Sequence, residues 1–402
     1  MNTSIKYLLS IESKGIKLGL TRTRLLNDSC GNPDKNLRII QVAGTNGKGS
    51  TSAMIANSLQ KVLNKKIGLF TSPHLVNVNE RIRINGTPIL DAEIDQFINL
   101  YKDKIEKQST SFFETITIMA FWYFKKHKVD YAIMETGLGG RLDSVTVCNP
   151  ILTIITSISM DHSEILGNTL VKIAKEKAGI IKPNIPCLTI AEQPKEVHEV
   201  IRRACKYNRS KLMISSKKDS KSLSPSLLGS VQLQNAGLAY LAVKTIIDNP
   251  NEDSNICKSI EQTTWYGRNQ IIQNKPLVIF DVAHNESGIA SFIEFVQSFA
   301  CKNKRLVLSL QSRKKIQSQI PMLCSVFDQI ILCETNNIRT MKIDELKAFF
   351  PSNINLKCIQ SDKEAIQYAV NNSNDDDCIG IIGTHHLGDA ISFFFNITFN
   401  LL

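Results

Sequence analysis

No stretch of about 18 consecutive apolar residues occurs in this 402-residue chain, so no membrane-spanning helix is expected. The opening segment MNTSIKYLLSIESKG has only a short apolar run and no small-residue cleavage site of a secretory leader. A cytoplasmic protein is therefore expected. Ten cysteines stand singly, none in a C-x-x-C pair, and the shortest spacing runs from Cys324 to Cys333. That excludes a disulfide framework and a thiolate zinc site, and leaves reduced, mostly buried thiols. No repeat of fixed period is present. Basic residues exceed acidic ones, 48 against 37, for a net charge of +11, yet no arginine-rich arm or RNA-reading aromatic motif accompanies them. The lysines are dispersed, so nucleic acid is not an expected partner, and small anionic substrates suit the same charge.

What is present is ordinary globular composition, 43% hydrophobic and 21% charged, over a length that allows two or three domains. Strand-like and helix-like segments alternate, which argues for an α/β fold with parallel sheets. LRIIQVAG (from Leu37), KIGLFTS (from Lys66), DYAIMETG (from Asp130) and ILTIITSIS (from Ile151) read as strands. Helical spacing marks Ser50 to Leu63, ETITIMAFWYFKKH from Glu114, and TLVKIAKEKAGIIK, which ends near Gly179. SSKKDSKSLSPS (Ser215 to Ser226) reads as a surface loop, followed by the helix VQLQNAGLAYLAVKTIID. The pattern breaks around WYGRNQIIQNKP, and a second run of strands begins with LVIFDVAHN. A boundary near 268 to 276 divides a phosphate-loop domain, 1–270, from a smaller Rossmann-like domain, 271–402.

VAGTNGKGST (Val42 to Thr51) joins a buried strand to a helix, the setting of a phosphate-binding loop. Gly44, Gly47 and Gly49 let backbone N–H groups approach phosphate oxygens, the helix start adds its dipole, and Lys48 adds a positive charge. The usual pattern, G-x-x-x-x-G-K-[ST], is broken twice. Val42 replaces its first glycine, and Gly49 replaces the hydroxyl residue that helps hold Mg²⁺. Ser50 either reaches the metal or caps the helix. Other oxygen ligands are expected at the carboxyl ends of neighbouring strands. Three such ends stand out: Ser72 and His74 in FTSPHL, Glu135 in METGLGGRLD, and Asp161 and His162 in SISMDHSEILG. Each also has a structural reading, as turn residue, helix cap or loop pair.

VAGTNGKGS, FTSPHL, NERIRING, FFE, GLGGRLD, DHSEILGNTL, EKAGIIK, LLGSVQLQNA and DVAHN, in this order, resemble the folylpolyglutamate synthase and dihydrofolate synthase family of the Mur-ligase superfamily. The resemblance runs from about residue 7 to residue 290, and GTNGKG[ST] is the family's ordinary loop. It implies ATP bound by Thr45, Asn46, Gly47, Lys48, Gly49 and Ser50, with Asn235, Arg268 and Asp281 completing that site. It implies two Mg²⁺ sites, the first held by Ser72 and Glu135, the second by His162 and Lys177. It further implies that Lys177 is carbamylated, which turns a cation into an anionic ligand. Lys48, His162 and Lys177 are the expected catalytic residues. Pteroate contacts are implied for Ser10, Ile11, Glu12 and Ser13, for Ser111, Phe112, Phe113 and Glu114, and for Leu142, Asp143 and Ser144. His284 is expected to meet glutamate.

The activity implied is ATP-dependent ligation of L-glutamate to dihydropteroate, and to reduced folates, through an acyl phosphate. A monomer is expected. Tyr266 stands where the family usually has proline, LDSVTVC lacks the usual Thr-Asn, and SLQSRKK and GTHHLGD replace the family's usual second-domain motifs. These departures motivate an alternative, a degenerate ATP-binding homologue without catalysis. A cell-wall Mur ligase ranks lower, because only 41 residues precede Val42 where such an enzyme has an extra domain of about 100. A basic nucleic-acid-dependent ATPase is disfavoured by the dispersed lysines.

Overall fold

The computed structural model describes residues 2–12, 15, 17–400 and 402. Its strands are, in chain order, β1 (Ile39–Ala43), β2 (Ile67–Phe70), β3 (Ile82–Ile84), β4 (Thr87–Pro88), β5 (Tyr131–Glu135), β6 (Leu152–Ile155), β7 (Cys187–Ile190), β8 (Leu212–Ser215), β9 (Gln270–Asn274), β10 (Leu277–Phe280), β11 (Lys304–Leu308), β12 (Gln329–Glu334), β13 (Leu356–Ser361) and β14 (Cys378–Ile382). One sheet has the order β4-β3-β2-β5-β1-β6-β7-β8, the other β13-β12-β11-β14-β10-β9. From β2 to β8 the first sheet is parallel, and β3 and β4 extend it antiparallel. In the second, only β9 runs antiparallel, against β10.

The central strands of the first sheet are buried throughout. Helices cover both faces, so each strand reads as a continuous apolar run. Alternate residues serve opposite faces. Ile39 and Met134 pack with Phe97, Phe121 and Phe124 of the helices Asp91–Gln108 and Phe112–Lys126. Ile40 and Ile133 pack with Met54, Ile55 and Leu238 of the helices Lys48–Leu63 and Ser230–Ile247. Gln41 interrupts the apolar run, and its buried amide donates to Thr146 Oγ1 at 2.7 Å. The second sheet is likewise covered on two faces, by Glu286–Gln297 and by Asp362–Asn371 with Leu387–Phe395.

Two local expectations change. Residues 270–274, inside the stretch read as a boundary, are strand β9, hydrogen-bonded to β10. The crossing between sheets therefore precedes them, at Trp265 to Asn269. The segment read as a surface loop from Ser215 contains a one-turn helix, Lys217–Ser220, started by a capping box between Ser216 and Asp219. Leu223 beyond it is buried. Ser-x-x-Asp is a capping signature that polar composition obscured. RIRINGTP forms the β3–β4 hairpin. The second domain returns to that hairpin: Arg83 donates to Phe399 O at 2.9 Å and to Asn400 O. Phe399 packs on Tyr266 and Phe280.

Candidate active site

Strand order reverses at β1: β5 and β2 lie on one side of it, β6, β7 and β8 on the other. A crevice opens at such a reversal, beyond the carboxyl ends of the strands. The loop after β1 fills it. Gly47 precedes the helix Lys48–Leu63 with φ +86, a left-handed conformation that favours glycine. A Cβ there would lie 2.3 Å from Asn235 Oδ1. Gly49 has a different reason: a Cβ would lie 2.9 Å from Trp265 Nε1. The position after Lys48 thus has no room for a side chain, and the pattern's missing hydroxyl is a steric consequence. One residue on, Ser50 Oγ is buried with no hydrogen-bond partner. It does not cap the helix, since Gly47 holds that position.

Lys48 Nζ donates to Thr45 O at 3.1 Å and lies 3.9 Å from Glu135 Oε1. Glu135 closes β5, and its Oε2 accepts from Ser72 N at 3.2 Å. Burial raises the Glu135 pKa, opposed by the Lys48 charge. A buried carboxylate of this kind gains most from a nearby cation. Beyond β6, His162 is held in a left-handed backbone conformation. Burial, reinforced by Lys314, lowers its pKa to about 4, so its ring is neutral near pH 7. A neutral imidazole is the form that ligates metals. Lys177, on the helix Leu170–Ala178, is 4% exposed, and its Nζ donates to Gly44 O at 2.6 Å. Burial first, then the Lys48 charge, lowers its pKa to about 7. Among the described residues, no three His, Cys, Asp or Glu side chains gather into a cage. Mg²⁺ needs few protein groups when phosphates and water complete its shell, so Ser72, Glu135 and the unpartnered Ser50 hydroxyl fit such an ion.

The crossing segment and the second domain close the cleft. Asn235 Nδ2 donates to Gln232 Oε1 at 2.9 Å. Asp281, past β10, accepts from Asn269 N and Ala283 N at 2.7 Å each. Burial raises its pKa, opposed by Arg268. His284 Nε2 lies 3.5 Å from Asp161 Oδ2. Thr45 to Ser50, Ser72, Glu135, His162, Lys177, Asn235, Arg268, Asp281 and His284 line this one cleft.

The expected pteroate residues do not line it. Ile11 and Phe112 are core. Ser10, exposed, donates to Tyr7 O at 2.7 Å, and Glu12 O accepts from Arg339 Nη2 at 3.2 Å. Ser13 lies outside the described residues. Ser111 and Glu114 form a capping box, and Glu114 pairs with Arg22 at 3.2 Å. Phe113, half-buried, packs against Phe70 and over Gly137. Asp143 accepts from Gly137 N, Leu138 N and Val145 N, Ser144 Oγ meets Thr117 Oγ1 at 2.6 Å, and Leu142 is half-buried.

Asp161 was only one of several strand-end candidates, yet it is the meeting point of the two domains. Lys314 Nζ pairs with it at 2.7 Å, and Asn285 Nδ2 donates to it at 3.1 Å. Burial works to raise the Asp161 pKa, but the hydrogen bond from His284 and the Lys314 charge hold it well below the carboxylate range. Asn285 also exchanges hydrogen bonds with Asn46 of the loop, at 3.0 and 3.3 Å. Lys314 sits in SLQSRKK, and its signal was that stretch's departure from pattern.

Residues 42–223 match the Mur ligase middle domain, and residues 267–385 the Mur ligase glutamate ligase domain. The chain is 40% identical over 342 residues to the dihydrofolate synthase/folylpolyglutamate synthase of Bacillus subtilis, covering 77% of this chain and 79% of that protein. Two solved structures share the fold across 98% of the chain. E. coli FolC in complex with DHPP and ADP has a TM-score of 0.86 at 26% identity, with 96% of it covered. The bifunctional folylpolyglutamate synthase/dihydrofolate synthase of Yersinia pestis, complexed with AMPPNP and a Mn ion, has a TM-score of 0.84 at 25% identity, with 97% covered.

Proposed function

The chain belongs to the dihydrofolate synthase/folylpolyglutamate synthase family of Mur ligases, and from that premise we propose that it joins L-glutamate to dihydropteroate and to reduced folates. It is an ATP-dependent, amide-forming ligase. The observation that carries the reading is one cleft in which Lys48, Glu135, Ser72, His162 and Lys177 face Arg268 of the crossing segment and Asp281 and His284 of the second domain. Residues 1–270 carry the nucleotide and pteroate, and 271–402 the glutamate side. The proposal takes the protein to work as a monomer in the cytoplasm.

A substrate carboxylate attacks the γ-phosphate of ATP and gives an acyl phosphate and ADP. The glutamate amine then attacks the acyl carbon, a C–N bond forms as the nitrogen gives up a proton, and the acyl C–O bond breaks with its electron pair going to the departing inorganic phosphate. Carboxylate and triphosphate repel each other, so cationic groups must meet them where charge develops. Lys48 supplies that charge at the loop and Arg268 from the crossing segment. Ser72 and Glu135 would hold one divalent ion, and His162 and Lys177 a second, and such ions would neutralise phosphate charge. Asn235 and Asp281 position the nucleotide, and His284 the incoming glutamate. The Asp161–Lys314 pair keeps the domains together over the acyl phosphate, which excludes water.

Lys177 is proposed to carry a carbamate. Its pKa of about 7 leaves much of the amine neutral near pH 7. The nitrogen adds to CO₂, a C–N bond forms, and one nitrogen proton leaves. The deciding experiment measures ADP release with ATP, Mg²⁺ and L-glutamate, comparing dihydropteroate with tetrahydrofolate. Turnover on both is expected. Turnover on dihydropteroate alone restricts the enzyme to dihydrofolate synthesis, and none on either would sink the reading.

A further inference from the structure

Past Ile155 the chain continues β6 towards Asp161, with the phosphate loop along one side. Thr156 N donates to Ala43 O at 2.8 Å, and Thr45 N and Asn46 N donate to Ser157 O at 2.8 and 3.3 Å. Thr156 Oγ1 donates to Asn46 O at 2.8 Å. Thr45 Oγ1 donates to Ser159 O at 3.1 Å and accepts from Ser159 N at 3.2 Å. The loop is thus stitched to residues 156–159 by backbone and hydroxyl bonds.

On the other side the neighbouring strand has ended. The β6–β7 register closes at Ile155 opposite Thr189, and Ala191 N turns to Ser215 O. Gln193 takes the empty place. Its Oε1 accepts from Ile158 N at 3.0 Å, and its Nε2 donates to Thr156 O at 2.7 Å. These two groups flank Ser157, as the partners of one residue in a parallel ladder do. Nε2 also donates to Thr189 Oγ1 at 3.1 Å, and that hydroxyl donates to Ile155 O at 2.8 Å, which fixes which end of the amide points where. Gln193 is buried and does not line the cleft.

We propose that Gln193 is a positioning residue for the nucleotide: its carboxamide replaces an absent strand residue and holds residues 156–159 against the phosphate loop. The inference rests on the reading that this loop carries ATP. Gln193→Met conserves volume and leaves Thr156 O and Ile158 N buried without partners. Its KM for ATP should rise about tenfold or more, while the KM for dihydropteroate stays within about twofold. Thr189→Val keeps the amide but removes its orienting hydroxyl. It should raise the KM for ATP in the same direction by a smaller factor, and it decides the matter alone where Gln193→Met does not fold. An unchanged KM for ATP in the folded variants overturns the proposal. So does a parallel rise in every KM with a loss of stability, the mark of a merely structural residue. The wild type is measured first, and failure to saturate with ATP there overturns the nucleotide reading itself.

Discussion

Gly49→Ala separates two explanations of the loop's missing hydroxyl residue. Gly49 lies in the first turn of the helix Lys48–Leu63 with ordinary helical backbone. In an open helix, alanine would be more stable there by up to ~1 kcal/mol. Here the added carbon would meet Trp265 Nε1 at 2.9 Å and the ring carbons Cε2 and Cζ2 at 3.2 Å. Those atoms belong to a rigid indole packed against the core, so the ring must move as a body. A contact below 3 Å with a rigid ring belongs in the upper part of the overpacking range, ~2–3 kcal/mol, which less a helix gain of ~1 kcal/mol leaves a net loss of ~1–2 kcal/mol. Trp265 also leads into Arg268, so a displaced indole moves a cation that lines the cleft, and on the proposed function the KM for ATP should rise with the loss of stability. Urea unfolding followed by circular dichroism reads the first effect, and ADP release the second. In a Trp265→Ala background the clash is gone, and the same glycine-to-alanine change should turn neutral or stabilising. A Gly49→Ala protein as stable as wild type with Trp265 intact would refute the steric account.

Glu135→Ala should lower ADP release by at least about a hundredfold with the far-ultraviolet spectrum unchanged, because it removes the carboxylate that faces Lys48 and Ser72; retained turnover would take Glu135 out of the site. Lys177 titrates near 7 when folded and at 10.5 as a free side chain, so between those values the unfolded chain binds a proton the folded one lacks. Its contribution to stability therefore rises with pH across that window, and Lys177→Met in CO₂-free buffer should flatten the rise of the urea midpoint from about pH 7 to about pH 10. Equal slopes in both proteins would mean that Lys177 is not stored as a buried neutral amine. For Asp161 and Lys314, both about one-tenth exposed, a cycle of Asp161→Asn, Lys314→Met and the double variant should give a coupling of ~1–3 kcal/mol in urea unfolding. Additivity within ~0.5 kcal/mol would remove the interdomain role of the pair.

The legible parts of this chain are those whose cause is local. Parallel strands buried on both faces must be apolar from end to end, so β1, β2, β5 and β6 stand out in the sequence. Their carboxyl ends point to Ser72, His74, Glu135, Asp161 and His162, and of these all but His74, whose Nδ1 accepts from Arg81 Nε, line the cleft. Lys177 was different. On an amphipathic helix it reads as a solvated lysine, and only a contact with Gly44, 133 residues away, makes it a buried amine. Family resemblance supplied that residue, where periodicity could not. The Asp161–Lys314 pair and the Gln193 bridge are hidden for the same reason, since each joins elements that the chain order keeps apart. Ser111 and Glu114 illustrate the opposite hazard. Their Ser-x-x-Glu spacing is a capping box, a local cause for both side chains, to which Glu114 adds a contact with Arg22 that no local pattern shows. The anomaly at Gly49 combines the two kinds of cause. Its backbone freedom looks like loop chemistry, but Trp265, 216 positions later, is what forbids a side chain. The buried, unpartnered hydroxyl of Ser50 then sits one residue beyond the place the phosphate-loop pattern reserves for it. On the proposed function that hydroxyl is the loop's oxygen displaced by one residue, and the indole that fills the vacated position belongs to the segment that carries Arg268 into the cleft.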